Sequence, residues 1–403
     1  MTTSRRELIR WALAAPLSSV AVLGAQAKAP QKPPRIRITD VQSFTVRVPK
    51  PGTKDMVSYQ LSRVHTDAGI TGTSFLGCPE PILQRWVKPT LVGQDLFAID
   101  RHMQRLQMQR GESGVQIWSG VEHALWDAVG RACNQPVAKL LGGYKDRLRV
   151  YRTTVWPGKQ DQSDVPYDTQ AAFAVRLKQA GYTAMKIRAW RPKPMDDVEA
   201  CRVIKKAVGP DFLLMYDRTA VRPGWVWDYQ TALEVARGLE REGGYWLEEP
   251  FDGYDLQGPA RLAAEVDIPI TGGELAHSIH QFLGFLTNRT YDIVQPDTRI
   301  CGGIWVARKI AILAESFGVP CIQHGTGGPS LAAYIQAGCA MPNCDFQEVI
   351  GDPELPEEQW GPAQKLLKTP YVFKVEKGDV LLSEIPGIGL DVDEDAIAAH
   401  RVR

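Results

Sequence analysis

Apolar residues recur along this chain with two different periods, and the change from one to the other divides it. From about Ile36 to Leu83 they alternate with polar ones, as in Ile36-Arg37-Ile38 and Phe44-Thr45-Val46-Arg47-Val48, the pattern of strands with one buried face. His65-Thr66-Asp67-Ala68-Gly69-Ile70-Thr71-Gly72 supplies the turn residues of a hairpin between two such strands. Between Gly120 and Asn134 the period becomes helical and places Val121, Ala124, Leu125, Ala128 and Val129 on one face. Gln135-Pro136 and Leu140-Leu141-Gly142-Gly143 then close the module, an α+β unit of three strands followed by helices.

Beyond Val150 short apolar runs alternate with helical stretches. The runs are 149–155, 184–188, 212–217, 245–249, 269–274, 291–297, 320–325 and 346–350; the helical stretches are 169–180, 197–208, 229–242, 256–266, 278–288, 304–317 and 331–340. Eight strands with seven intervening helices predict a modified TIM barrel, (β/α)7β, whose last helix is absent or displaced. A doubly wound open sheet shares the alternation, but only a barrel brings the end of nearly every strand to one mouth. From Pro370 the strand-like alternation returns, followed by Pro386-Gly387-Ile388-Gly389-Leu390. The predicted organisation is a leader over 1–27, an α+β capping domain over 28–149, the barrel over 150–369, and a tail, 370–403, that packs back on the cap and completes it.

Composition narrows the partners. The chain has 403 residues, 44% hydrophobic and 23% charged, enough for a large core, and shows no low-complexity tract or tandem repeat. Its 47 basic residues nearly balance 46 acidic ones, so no net field would recruit nucleic acid or anionic lipid, and a small molecule is the expected ligand. Seven cysteines, odd in number and without C-x-x-C spacing, argue against a zinc site and against a full disulfide framework. The amino end is a unit of its own: Ser4-Arg5-Arg6-Glu7-Leu8-Ile9-Arg10, an apolar run over 11–23, then Ala25-Gln26-Ala27. It resembles a twin-arginine export signal cleaved before about Lys28, which implies a periplasmic protein; a frayed or amphipathic start to a cytoplasmic protein is the alternative. The run is short for a bilayer and interrupted by Pro16, so no stable membrane insertion is expected.

The candidate chemistry sits at the strand ends. Tyr245-Trp246-Leu247-Glu248-Glu249-Pro250 is an apolar run ending in two carboxylates, with a proline that stops the ladder behind them. The other barrel strands end in Lys186 and Arg188, Asp217, Glu274, Asp297, His324 and Glu348. An acid after a strand is commonly a helix N-cap, as Asp217 or Asp297 can be. A whole ring of ionisable ends is better read as one site. Asp217, Glu248 and Glu274, from successive strands, cannot all stay ionised at close range without a cation, and an all-oxygen set suits Mg²⁺, with Mn²⁺ as the alternative. Asp297 beside His324 can fix the imidazole tautomer and make it a base. Lys186 and Arg188, two residues apart on one strand face, suit an anionic substrate, and Glu348 can support a substrate carboxylate if it is protonated or hydrogen-bonded.

These residues, with the segments 118–127 and 140–143 and the sequences Glu248-Glu249-Pro250 and Gly273-Glu274, resemble the mandelate racemase and muconate lactonizing enzymes of the enolase superfamily. The spacing of Glu248, Glu274, Asp297 and His324 is similar to that of the racemase branch. The resemblance implies that Asp217, Glu248 and Glu274 bind the metal, that His324 with Asp297 is the acid/base dyad, and that Glu348 contacts the substrate carboxylate. Lys186 matches the first lysine of the family's paired-lysine motif, but Arg188 stands at the second place, where an arginine scarcely deprotonates and serves better as an anchor for substrate oxygens. It further implies a homo-oligomer and removal of a proton beside a carboxylate, with Mg²⁺ stabilising the enediolate. With one good base, the expected reaction is dehydration of an acid sugar to a 2-keto-3-deoxy acid. A racemase, epimerase or cycloisomerase using Lys186 opposite His324 is one alternative, and a non-catalytic exported binder of sugar acids is another. Loops 49–55 and 190–194 are expected to select the substrate, and Glu249 to support the metal from behind or to pair with a neighbouring base.

Overall fold

The computed structural model describes residues 35–50, 54–108, 117–154, 165–220, 224–351, 361–369 and 375–402. The leader over 1–27, the tip of loop 49–55 and Val155 at the end of the first barrel strand lie outside them, as do residues 370–374 at the start of the tail. Met1–Arg35 and Ile36–Arg403 separate as two units, and all the strands and helices among the described residues belong to the second.

The alternating segment forms an antiparallel meander of β1 (Ile38–Pro49), β2 (Met56–Thr66) and β3 (Thr71–Ser74), with Gly69 taking the left-handed turn position at φ +74°. The helix Ser119–Cys133 packs its apolar face on this sheet, ending at Asn134 in the left-handed conformation. Contact is close because Gly72 has no side chain: a Cβ there would lie 2.0 Å from the Ala124 carbonyl oxygen. Two buried acids of this helix work as bolts. Asp127 accepts from Thr73 N (2.8 Å), Ile388 N (2.9 Å) and Arg131 Nε (2.8 Å), tying sheet, helix and tail. Glu122 accepts from Ile304 N (2.9 Å) and Trp305 N (2.8 Å), capping from outside the barrel helix Ile304–Ser316. The acidic positions within 118–127 are therefore structural.

Parallel strands follow in sequence order: β4 (Arg147–Thr154), β5 (Ala184–Arg188), β6 (Leu213–Asp217), β7 (Trp246–Glu248), β8 (Ile270–Gly272) and β9 (Ile293–Val294), while β10 (Phe346–Gly351) pairs back onto β4. The sheet closes, so the chain folds as a barrel and not as an open sheet. The expected strand over 320–325 is reduced to single bridges, Val294↔Cys321 on one side and Thr326↔Val349 on the other. Pro320 has no donor, and Gly325 lies so near β10 that a Cβ would meet Glu348 Cβ at 2.4 Å, leaving little room for a regular ladder. The seven predicted helices surround the barrel within a few residues of their expected limits. Six cysteines are buried and Cys133 is exposed, all as free thiols.

The tail divides its contacts. Its hairpin, β11 (Val375–Glu376) and β12 (Asp379–Leu381), pairs antiparallel with β4 of the barrel and not with the cap sheet. Residues further on reach the cap: Val137 N donates to Gly387 O (2.9 Å), Val402 N to Thr45 O (2.9 Å), and Arg63 pairs with Glu394.

Candidate active site

Period-2 alternation sorts the inward side chains of the barrel into layers. One buried layer is apolar: Tyr151, Ala184, Met215, Trp246, Ile293, Ile322 and Phe346 form a separate cluster, with Tyr151 and Trp246 meeting edge to face at 5.3 Å. Two residues further along those strands come Thr153, Lys186, Asp217, Glu248, Gln295, His324 and Glu348, all buried. The same alternation thus sets an aromatic floor and stands a ring of polar groups on it. β8 reaches the ring differently. Thr271 pairs with Glu248, an odd number of residues before Glu274, and Gly273 resets the phase with a left-handed φ of +106°.

Carboxylate oxygens of Asp217, Glu248 and Glu274 all lie within 4.8 Å of one another. Burial and the neighbouring Asp217 raise the Glu248 pKa. Buried Glu274 Oε2 lies 3.0 Å from His324 Nε2 and has no further hydrogen-bond donor among the described residues. A close oxygen triangle with a buried, underbonded corner fits a hard divalent cation such as Mg²⁺. Lys186 Nζ reaches into the same cluster, 2.8 and 2.9 Å from the Glu248 oxygens, 2.9 Å from Glu348 Oε1 and 3.3 Å from Asp217 Oδ2. Burial opposes its charge, but Glu248, Glu348 and Asp217 outweigh it and hold the Lys186 pKa above the usual lysine value. Arg188 pairs with Asp217 Oδ2 and donates to Thr219 Oγ1 (2.9 Å).

Across the mouth, His324 Nδ1 lies 3.0 Å from Asp297 Oδ2; the carboxylate can only accept, so Nδ1 carries the proton and Nε2 faces the acid cluster. Asp297 is held in turn by the Tyr334 hydroxyl and by Arg299 N (2.7 Å), so it is a helix N-cap as well as a dyad member. Burial disfavours the His324 imidazolium, yet Glu274 and Glu348 raise its pKa well above the usual imidazole value. Glu348 accepts from Gly325 N (2.7 Å) and from the Thr153 hydroxyl. Burial would push its carboxyl up, but Lys186, His324 and Arg188 hold it far below the usual range, so Glu348 is ionised.

All eight sequence-predicted residues therefore meet at one mouth. Glu249 does not pair with a base: turned away by a left-handed backbone (φ +45°), it accepts from Gly273 N (3.1 Å) and Glu274 N (3.3 Å) and braces the neighbouring ligand's backbone. Sequence reasoning missed four groups that orient this site. Trp246 Nε1 and Gln295 Nε2 both donate to Glu248 Oε2, at 3.2 and 3.0 Å, and Thr153 and Tyr334 hold Glu348 and Asp297. Trp246 was legible by period, since two residues before Glu248 puts it on the same strand face.

Residues 38–142 match the model of the mandelate racemase / muconate lactonizing enzyme N-terminal domain, and residues 169–396 match the enolase C-terminal domain-like model. The chain is 27% identical to an arabinonate dehydratase of Saccharolobus solfataricus over 336 residues, 81% of this chain and 85% of the relative. It is 30% identical to a D-galactarolactone cycloisomerase of Agrobacterium fabrum, covering 77% of this chain and 82% of that one. Among solved structures, the magnesium complex of a D-glucarate dehydratase from Agrobacterium tumefaciens superposes with a TM-score of 0.78 at 29% identity, over 91% of this chain and 99% of that one.

Proposed function

Because the chain belongs to the mandelate racemase / muconate lactonizing enzyme family of the enolase superfamily, we propose that it is a Mg²⁺-dependent hydro-lyase that dehydrates an acid sugar, an aldonate or aldarate, to a 2-keto-3-deoxy acid. Asp217, Glu248 and Glu274 would hold the metal. Bound there, Mg²⁺ supplies the positive charge that stabilises the enediolate. The remaining work falls to the chain. With Glu274 engaged by the metal, the charge that favours the His324 imidazolium would be offset; Nε2 then takes the proton from the carbon beside the carboxylate, and the electron pair of that C–H bond moves into the enediolate. The same imidazolium then returns a proton to the departing β-hydroxyl, which leaves as water, and the enol product tautomerises to the keto acid. Lys186 neutralises the substrate carboxylate or serves as the second acid/base, Arg188 anchors substrate oxygens, and Glu348, ionised and so without a proton to donate to a carboxylate, acts on that end by holding Lys186.

The observation that carries this reading is the asymmetry of the mouth. One side holds an imidazole whose tautomer is fixed by Asp297; the other holds Lys186, pinned as a cation by three carboxylates, and Arg188, which scarcely deprotonates. A two-sided exchange, as a racemase needs, would have to use Lys186 as its second base, since Arg188 cannot take that part. Relatives named as cycloisomerases favour a second reading that also needs one base, elimination within the ring of a lactone or of an anhydro sugar acid. Incubation of the Mg²⁺-loaded protein with a panel of aldonates and aldarates is expected to give a semicarbazide-reactive keto acid from at least one member. Recovered substrate should carry little deuterium in D₂O. No keto acid from a broad panel, or rapid deuterium wash-in, would count against dehydration.

The export reading goes with this proposal. Arg5-Arg6 ahead of the apolar run supports transport by the twin-arginine route to the periplasm. Changing Arg5→Lys and Arg6→Lys together is expected to leave the protein in the cytoplasmic fraction. Unchanged periplasmic recovery of the double variant would sink it.

A further inference from the structure

At the end of β6 a threonine occupies a backbone region that β-branched residues avoid. Thr219 has φ +49°, the left-handed region, where the branched Cβ crowds its own carbonyl. The chain on either side is pinned to the neighbouring strand end, with Arg218 N donating to Glu248 O (2.9 Å) and Ala220 N to Glu249 O (3.2 Å). Packing does not demand the side chain, since Thr219 is only half-buried. Its hydroxyl, however, both donates and accepts. Oγ1 donates to Asp217 Oδ1 at 2.6 Å and accepts from Arg188 Nη1 at 2.9 Å, and Arg188 bonds the other oxygen of the same carboxylate.

Arg188 is held from a third direction as well. Its guanidinium lies over the Trp190 ring at 5.4 Å, and Trp190 meets Trp225 edge to face at 4.8 Å while its Nε1 donates to Arg218 O (3.0 Å). A long side chain that would otherwise sample many rotamers is fixed against one corner of the carboxylate cluster. Backbone strain kept beside a reactive cluster, on a residue whose functional group joins two of its members, is a mark of function rather than of packing.

We propose that Thr219 is a positioning residue, kept in a strained conformation because its hydroxyl couples Asp217, a carboxylate of the metal cluster, to Arg188. Only the use of Arg188 as a substrate anchor rests on the dehydratase reading. The coupling itself does not.

Three variants of the full-length protein separate strain from hydroxyl. Thr219→Val keeps the branched shape and loses the hydroxyl; Thr219→Gly removes both; Thr219→Ser keeps the hydroxyl. In chelator, T219G is expected to melt no lower than the parent, because strain relief offsets the lost bonds, whereas T219V melts about 3 °C lower, retaining the strain with Asp217 and Arg188 each short of a partner. Titration calorimetry with Mg²⁺ alone is expected to show Kd raised about tenfold in T219V and T219G and within about twofold of the parent in T219S. A purely structural threonine predicts the opposite order, with T219G the least stable. That order, or unchanged Mg²⁺ affinity in T219V, overturns the proposal. Neither measurement uses a substrate, so a parent protein inactive on the whole acid-sugar panel would refute the dehydratase reading while leaving this test intact.

Discussion

Replacing His324 with asparagine is expected to lower kcat by about 10²–10⁴-fold, the usual contribution of a positioned acid/base group, while Mg²⁺ binding changes little. The loss should be large because one imidazole is asked to do two jobs, taking the α-proton and returning a proton to the departing hydroxyl. Asparagine keeps a polar side chain of similar reach but cannot exchange a proton at neutral pH. Asp297→Asn should fall in the same range for a different reason. An amide can no longer only accept from Nδ1, so the tautomer that leaves Nε2 free to take a proton is no longer enforced. Residues that act as a unit lose rate once, so the double variant should be no slower than H324N by more than a few-fold. Keto-acid formation measured under single-turnover conditions, with Mg²⁺ titrated separately, tests this. An H324N enzyme retaining a tenth of parental kcat would remove His324 from the chemistry, and a fully additive double variant would show that Asp297 acts elsewhere, through Tyr334 or the helix it caps.

The same pairings explain what could be read before any coordinates. A buried strand alternates, so an apolar inward residue followed two positions later by an ionisable one, in strand after strand, fixes both the wall and the mouth of a barrel: Met215 then Asp217, Trp246 then Glu248, Ile322 then His324, Phe346 then Glu348. The change of period also falls between the three-stranded sheet and the barrel sheet. What stayed hidden has no such repeat. Tyr334 lies in the apolar helix Leu331–Cys339 and reads as core, and only the packing of that helix beside the barrel brings its hydroxyl to Asp297. Thr219 follows Asp217 in what reads as a loop, and its importance depends on a backbone angle. The segment 320–325 misleads in the other direction, since its apolar pattern promises a full strand while Gly325 is spent on a close approach to Glu348. Arg188 is the instructive case. Its departure from lysine was plain, but its attachment to Asp217 and Thr219 and its seat on Trp190 required the fold.

Glu248→Gln is expected to abolish the rise in Tm that Mg²⁺ gives the parent protein, without lowering Tm in chelator. Two carboxylates within 4.8 Å of each other repel by roughly 3 kcal/mol or more at an effective dielectric of about 20, and three of them share this site. That is a sizeable part of a net stability of about 5–15 kcal/mol, so without a divalent ion the cluster relies on Lys186, with Arg188 at Asp217 and His324 at Glu274. Glutamine removes one charge at nearly constant shape; its carbonyl oxygen at the Oε2 position can still accept from Lys186, Trp246 or Gln295, while its NH2 at the Oε1 position requires Lys186 to shift toward Asp217 and Glu348. Cutting one partner from a buried ion pair usually costs about 3–5 kcal/mol, but only where the other charge is left alone. Here Lys186 keeps Asp217 and Glu348, at 3.3 and 2.9 Å, so relief of repulsion offsets the lost attraction and Tm in chelator holds. The parent, at a Mg²⁺ concentration about 100 times Kd, should gain about 2.7 kcal/mol, seen as a Tm shift of several degrees. E248Q, lacking one corner of the oxygen triangle, should gain none at the same concentration and should form no keto acid. Thermal unfolding of both proteins, with chelator and with Mg²⁺, decides the matter. A full Mg²⁺ shift in E248Q would place the ion somewhere other than Asp217, Glu248 and Glu274, and a collapse of E248Q in chelator would mean that Glu248 serves first as the counter-ion of Lys186.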